Sequence, residues 1–408
     1  MDDHGFRAAR RIIEILRAAG HQAWIIGGAV RDLLIGTMPP DWDVATSAHP
    51  ADVQALFHRT IPVGVQFGVV RVRLMGAEVE VATFRADLGY SDGRRPDAVR
   101  FTDLREDVLR RDFTINGLAL DPGNGEVVDL VEGIADLRAG RIRAIGNADA
   151  RFAEDLLRPL RAVRLAARTG FSIESGTWEA VRRAAGSVAV VSVERIAEEL
   201  KKTLLSSRPG LGWSLLADSG ILEAVLPEVA GGPSVAQVSS ALDASVGSDA
   251  ETMWANVLWP IGPAGSAGTL RRLKYSNHFI RDTSETIRLG QAASRFPIED
   301  RAAAKKLLRE ARAAAGLAVL AVWRQVEGLD DRPVREAREF LLGLGPEDLW
   351  PLRLLTGDDV LAAGIPRGKG VSEALCALED AQLRGEVTTT EAAKAFVCRW
   401  SAKMPESG

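Results

Sequence analysis

Histidine and cysteine are scarce, at five and two in 408 residues. Cys376 and Cys398 sit near the C-terminus without metal-ligand spacing and the histidines are scattered, so neither a zinc site nor a disulfide framework is expected. That usage suits a reducing compartment, and the expected location is cytoplasmic. No run of about 18 apolar residues occurs, so no membrane-spanning helix is expected and no membrane partner. The charged opening "MDDHGFRAARRIIEILRAAG" lacks the apolar run of a signal peptide. An excess of one charge is missing as well: 51 basic residues face 55 acidic ones, a net charge of −4. Any polyanion must therefore be held by local basic surface. No short tandem repeat is present, which argues against a solenoid.

What the chain does have is enough hydrophobic material, 46%, for several cores. Ala9, Ile12, Ile13 and Leu16 recur at helical spacing, predicting a helix over 6–19 with Gly20 as its C-cap. "AWIIGG", "VVRVRLM" and "EVEVATF" are rich in branched residues and predict strands. From about Ala148 onward Ala, Leu, Arg and Glu dominate, and the rest is expected to be almost wholly helical. Within it, "IGPAGSAG" (Ile261 to Gly268) is the clearest expected loop, and "RAAAKKLLREARAAAGLAVLAVWRQVEGL" the longest expected helical run. The expected fold class is α+β. A head, 1–146, holds a small mixed sheet with helices, and an all-α neck (147–206), body (207–290) and tail (291–408) follow.

The segment "IIGGAVRDLLIGTMPPDWDVAT" carries the chemistry. Asp41 and Asp43 stand at i and i+2, so on a strand both carboxylates project from one face. Side by side they repel unless a cation lies between them, and Mg²⁺ takes oxygen ligands of this kind together with substrate phosphates. An isolated D-x-D also occurs in solvated turns, so its surroundings decide. Upstream, a strand runs into Gly27 and Gly28 and then into helix-like "AVRDLLIG". Glycines there let backbone N–H groups approach phosphate oxygens at a helix N-terminus, and Arg31 offers a triphosphate contact. G-x-G-x-x-G and the P-loop lysine are both missing, which removes the dinucleotide and Walker alternatives.

The order "GGAVRDLLIG…DWDVAT", "VEVATFR", "RRDFTINGLALDP", "EDLLRPLRAVRLAARTGF", "VERIAEELKKTLL" resembles the class II tRNA nucleotidyltransferase and bacterial poly(A) polymerase family over roughly residues 20–230. The resemblance implies that Gly27, Gly28 and Arg31 hold a triphosphate and that Asp41 and Asp43 bind catalytic metals, with two Mg²⁺ ions expected. The chemistry is attack of a primer 3′-hydroxyl on the α-phosphate, pyrophosphate leaving. Glu80 is a candidate third carboxylate, although Glu78 shares its face. Arg110, Arg111, Asp112 and Asn116 match the segment that holds the nucleotide sugar and orients the head, Arg111 being the preferred nucleotide contact; Asp112 and Asn116 also suit a turn or helix cap.

Asp155 and Arg158, three apart, are expected on one helical face as an acceptor and a forked donor. In the resembling family such a protein template selects C and A over G and U. Arg161, Arg164 and Arg168 follow on an adjoining sector, suited to triphosphate and tRNA backbone. From Arg138 to Arg168 eight arginines meet three acids, Asp149, Glu154 and Asp155, a basic surface fit for an RNA acceptor stem. Three positions depart from the family pattern. Gly117 replaces alanine, which is expected to loosen its segment; Leu165 replaces phenylalanine; and Pro159 is expected to kink the template helix.

"FRADLGYSDGRRPDAVRF" (Phe84 to Phe101) has the Gly, Asp and Pro content of a mobile loop and resembles one that CC-only enzymes have shortened. Downstream no histidine-aspartate pair occurs, His278 stands alone, and phosphohydrolase activity is not expected. Thr356 to Val387 resembles the family's tail segment. Trp254, Trp259 and Trp323 are expected as core anchors. The implied function is nucleotide addition to the tRNA 3′ end from CTP and ATP, or from ATP alone, with the tRNA acceptor end as partner and no DNA. Poly(A) synthesis, and a non-catalytic RNA-binding protein on the same fold, are the alternatives.

Overall fold

The structure is a computed structural model describing residues 3–89 and 98–402. The chain divides into two compact units, Met1–Gly231 and Gly232–Gly408, a break that falls inside the segment expected as the body.

In the first unit α1 (His4–Ala18) forms where the apolar stripe predicts it, burying Ala9, Ile12, Ile13 and Leu16, with the Asp3 carboxylate capping its start. It packs on a sheet of β1 (Ala23–Ile26), β2 (Asp43–Thr46), β3 (Thr60–Gly64), β4 (Val69–Leu74), β5 (Ala77–Thr83), β8 (Leu118–Leu120) and β9 (Val127–Asp129). The strand order is β3-β4-β5-β2-β1-β8-β9, and β2–β5 is its parallel pair. Alternation puts Val70, Val72, Val79 and Val81 into the core against α1. Two short helices, α2 (Gly28–Leu34) and α3 (Pro50–Leu56), follow β1 and β2.

The segment expected as a loop at Phe84 to Phe101 is instead paired at both ends. β6 (Arg85–Leu88) and β7 (Ala98–Phe101) run antiparallel, from Arg85 opposite Phe101 to Leu88 opposite Ala98, while 90–97 lie outside the described residues. Six helices complete the site's framework: α4 (Leu104–Leu109), α5 (Gly133–Arg138), α6 (Ala148–Glu154), α7 (Arg158–Thr169), α8 (Ser175–Ala184) and α9 (Val193–Leu204). One short parallel pair, β10 (Arg141–Ile142) with β11 (Ser172–Ile173), places a strand inside the neck expected to be all helical. Gly117 is not loose: a Cβ there would lie 2.8 Å from the Val131 side chain, so close packing excludes one.

The second unit is helical. "IGPAGSAG" is no loop but the start of a helix, Gly262–Arg272, with Pro263 in its first turn, where a missing N–H costs nothing. The longest expected helical run is broken: Arg301–Leu308 and Ala313–Val326 are separate helices, the gap lying at 309–312. Trp254 and Trp323 are buried core anchors, whereas Trp259 is half-buried at the edge of a second cluster. His278 does not stand alone, since its Nδ1 lies 3.0 Å from Asp282 on an exposed helical face. Among the described residues no helix is long and apolar enough to cross a membrane.

Helices Asn277–Ala293 and Ala313–Val326 cross at Gly290 and Gly316, where a Cβ on Gly290 would lie 2.6 Å from the Gly316 carbonyl oxygen. Gly290→Ala should therefore destabilise the second unit by about 1–3 kcal/mol. Gly268→Ala, on a helix with open space around it, should stabilise by about 0.5–1 kcal/mol. Urea denaturation of both variants checks the pair.

Candidate active site

Trp42 separates the two aspartates and decides where they point. Its indole is 4% exposed, packs on Phe6 at a centroid distance of 5.1 Å and donates to the Asp3 carboxylate. Asp41 and Asp43 flank this inward anchor and stand on the exposed side. Asp43 opens β2, and the parallel register sets Glu80 of β5 directly opposite it. Glu78, on the same face, is taken by Arg71 and Arg73 instead, so position distinguishes the two glutamates. Asp43 and Glu80 line one cleft of about 200 Å³ with Ile26, Arg85, Arg110 and Arg111.

Although its side chain reaches solvent, the protein crowding the cleft strips water from the Asp43 carboxyl and pushes it up to about 6; Glu80 adds to the rise, Arg111 opposes it, and Asp41 contributes a smaller push. A cluster of hard oxygen donors in which ionisation of Asp43 is disfavoured for want of a full counter-charge fits a divalent cation. Among the described residues no three His, Cys, Asp or Glu side chains are gathered to hold a metal. Asp43 and Glu80 are the carboxylates that line the cleft, so a cation held by them would have coordination positions left over.

β1 ends at Ile26, and the φ of +81° at Gly27 lets the chain turn into α2 while the Gly27 N–H donates to the Leu118 carbonyl at 3.2 Å. Arg31, expected to meet a triphosphate directly, is 4% exposed beneath this turn. Its Nε and Nη2 donate to Asp32 at 2.9 and 2.7 Å, and its Nη1 to the Asn116 side-chain oxygen. The other oxygen of Asp32 accepts from Arg168 of α7 at 2.6 Å. Arg31 thus braces the floor of the turn.

Arg31 Nη2 lies 3.4 Å from where a Cβ on Gly28 would be, and a second arginine, Arg111, faces the turn as well. Its Nη1 lies 3.3 Å from where a Cβ on Gly27 would be. Asp107 of α4, 1% exposed, receives Arg110 on Oδ1 (2.6 and 3.0 Å) and Arg111 on Oδ2 (2.9 and 3.3 Å). Asp112 accepts the Phe113 N–H and the Asn116 amide on one oxygen and the Arg161 fork on the other, at 2.9 and 2.6 Å. Burial alone would raise the Asp112 pKa, but Arg161, with Asn116, outweighs it and holds the carboxyl well below the usual range.

Asp155 and Arg158 do not share a helical face. Asp155 is extended at the end of α6, and α7 begins only at Arg158, so a turn separates them. Pro159 accordingly sits in the first turn of α7, where it breaks no hydrogen bond and kinks nothing. Arg158 is buried, donating to Glu154 at 2.7 Å and to the Arg151 and Arg110 carbonyls. Asp155 instead receives Arg195 of α9 at 3.1 Å. Arg164 pairs with Glu199, completing a ridge on α7 in which Arg158, Arg161, Arg164 and Arg168 each meet a carboxylate.

The expected basic surface is therefore largely neutralised. Seven of the eight arginines between 138 and 168 lie within 4 Å of an acidic side chain, with Asp32, Asp112, Glu132, Asp136 and Glu199 supplied from outside that stretch. Sequence reasoning missed Asp32, Asp107, Glu199, Arg195 and Arg85. Asp107 had a usable signal, at i−3 and i−4 from Arg110 and Arg111; the long-range partners had none.

Because the folded Asp112 pKa is depressed, its contribution to stability is full above its unfolded value near 4 and is lost as pH falls below that. Asp112→Asn should cost about 1–3 kcal/mol at pH 7 and shrink the acid-induced loss of stability below about pH 4. Denaturant titrations from pH 3 to 7 measure both.

Two family matches accord with this architecture: the poly A polymerase head domain over residues 23–143, and the probable RNA and SrmB- binding site of polymerase A over 170–231. The CCA-adding enzyme of Lactiplantibacillus plantarum is 40% identical over 287 residues, covering 69% of this chain and 70% of the relative. That of Streptococcus pyogenes is 38% identical over 288 residues, 70% and 71% of the two chains. The solved Bacillus stearothermophilus CCA-adding enzyme in complex with CTP superposes with a TM-score of 0.80 at 32% identity, over 98% of both chains. A Thermotoga maritima CCA-adding enzyme complexed with tRNA shares the fold, with a TM-score of 0.67 at 19% identity over 96% of this chain and 94% of that one. At 38–40% identity over about 70% of the length of these relatives, the chain belongs to the family of CCA-adding enzymes.

Proposed function

We propose that this chain builds the CCA end of tRNA, transferring cytidine and adenosine from CTP and ATP to the 3′-hydroxyl, with the cytoplasm as its place of action. The observation that carries the reading is the Asp43–Glu80 register across β2 and β5, which sets two carboxylates in one cleft with Arg110 and Arg111; Asp41, two residues before Asp43, adds its charge to theirs. A relative at 32% identity solved with CTP supports the nucleotide assignment.

Metal dependence is general among class II nucleotidyltransferases. Here Asp41 and Asp43 would hold Mg²⁺, in a two-ion arrangement, with Glu80 beside them. Bound there, Mg²⁺ supplies Lewis-acid stabilisation of charge on the α-phosphate and the departing pyrophosphate. The chain's own residues do the placing. The backbone N–H of Gly28, just past the turn, and the Arg111 guanidinium receive the triphosphate, with Arg110 alongside; Arg31 keeps the turn rigid from below. Asp112 and Asn116 hold the nucleotide segment of the head against Arg161 of the neck, and Arg164 secures that helix through Glu199. Asp155 and Arg158 read the base edge, each exchanging its resting partner, Arg195 or Glu154, for a donor or acceptor on the base.

Incorporation of labelled CTP and ATP into tRNAs ending before CCA, after C and after CC, beside an oligo(A) primer, tests the reading. Growth of all three tRNAs to one fixed length is the expected result. Addition of a single A to the CC-ended tRNA alone, or long A tails on oligo(A), would replace it. Asp43→Ala should lower incorporation by at least about a thousandfold while leaving tRNA retention on a filter within about twofold.

A further inference from the structure

The second arginine of "RRD" has a choice of carboxylate. Arg111 shares a cleft with Asp43, and its charge acts on that carboxyl, yet no ion pair joins the two. Its Nε and Nη2 are both held by Asp107, and among the described residues it has no other carboxylate partner. Arg110 is less dependent on Asp107, since its Nε also donates to the Arg85 carbonyl and its Nη1 lies 3.7 Å from Asp87. A guanidinium released into a cleft lined by Asp43 and Glu80 would find the strongest available acceptors there. It would then occupy the place of a cation.

We propose that Asp107 is a positioning residue that holds Arg111 off the metal-binding carboxylate Asp43 and leaves its remaining nitrogen, Nη1, to the triphosphate turn at Gly27. The inference rests on the assignment of Asp43 as a metal ligand. One buried carboxylate thereby keeps two opposite charges apart within the same cleft, so that each meets its own part of the substrate complex.

Mn²⁺ binding to the whole protein, followed by electron paramagnetic resonance without nucleotide or tRNA, tests this without relying on turnover. Asp107→Asn should weaken Mn²⁺ binding about tenfold through the freed guanidinium. Asp107→Glu, which keeps the charge, should stay within about threefold of wild type. In an Arg111→Gln background Asp107→Asn should change Mn²⁺ binding by less than about twofold, because the competitor is gone. An equal loss with and without Arg111 would make Asp107 a purely structural residue and overturn the proposal. Arg111→Lys provides a second route if Asp107→Asn does not fold: the ammonium cannot make the two-point grip, and Mn²⁺ binding should again weaken. Wild-type affinity in Arg111→Lys would overturn the proposal as well. Asp43→Asn separates the two levels. If it leaves Mn²⁺ binding unchanged, the metal assignment itself fails; if it abolishes binding while Asp107→Asn does not weaken it, only the role of Asp107 falls.

Discussion

Like charges on adjacent strands repel, and the architecture of the head is arranged around sustaining such a repulsion. Asp43 and Glu80 face each other in register, and nothing within the protein neutralises Asp43 fully. A sheet would ordinarily avoid that pairing. Here the strands are fixed from the other side: Trp42 and the valines of β4 and β5 bury against α1, and this burial outweighs the unfavourable contact above it. The cleft is thus charged and open because the core beneath it is apolar and closed.

The arginines complete the same logic by being restrained. Arg31, Arg110, Arg111, Arg158, Arg161, Arg164 and Arg168 all lie near the carboxylate cleft or the neck helix, and each is engaged by an acidic side chain. Left alone, so many cations would collapse onto the nearest anions. Paired, they tie the head to the neck through Asp32, Asp112 and Arg158, and the site keeps its shape before any substrate arrives.

Much of this was legible in the sequence because it is local. The apolar stripe of α1, the branched runs of the strands, the glycine turn and the alternation of Asp41, Trp42 and Asp43 are each fixed by neighbours in the chain. What the sequence concealed is long-range. Arg168 meets Asp32 across 136 positions and Arg161 meets Asp112 across 49, so the arginine-rich stretch looked like free basic surface. Local composition also misled at "IGPAGSAG", where packing made a helix of a glycine-rich segment. At Pro159 the helix simply begins later than its periodicity suggested.

That late beginning has a consequence for how the segment tolerates change. Pro159 fixes the first turn of α7, and the ridge from Arg158 to Arg168 then meets its four carboxylates by rotation alone, one residue advancing the helix by about 100°. A single inserted or deleted residue between Pro159 and Arg161 would swing Arg161, Arg164 and Arg168 away from Asp112, Glu199 and Asp32 together. The neck helix behaves as a key whose teeth share one angular register, so a change in its length disturbs all of its pairs at once.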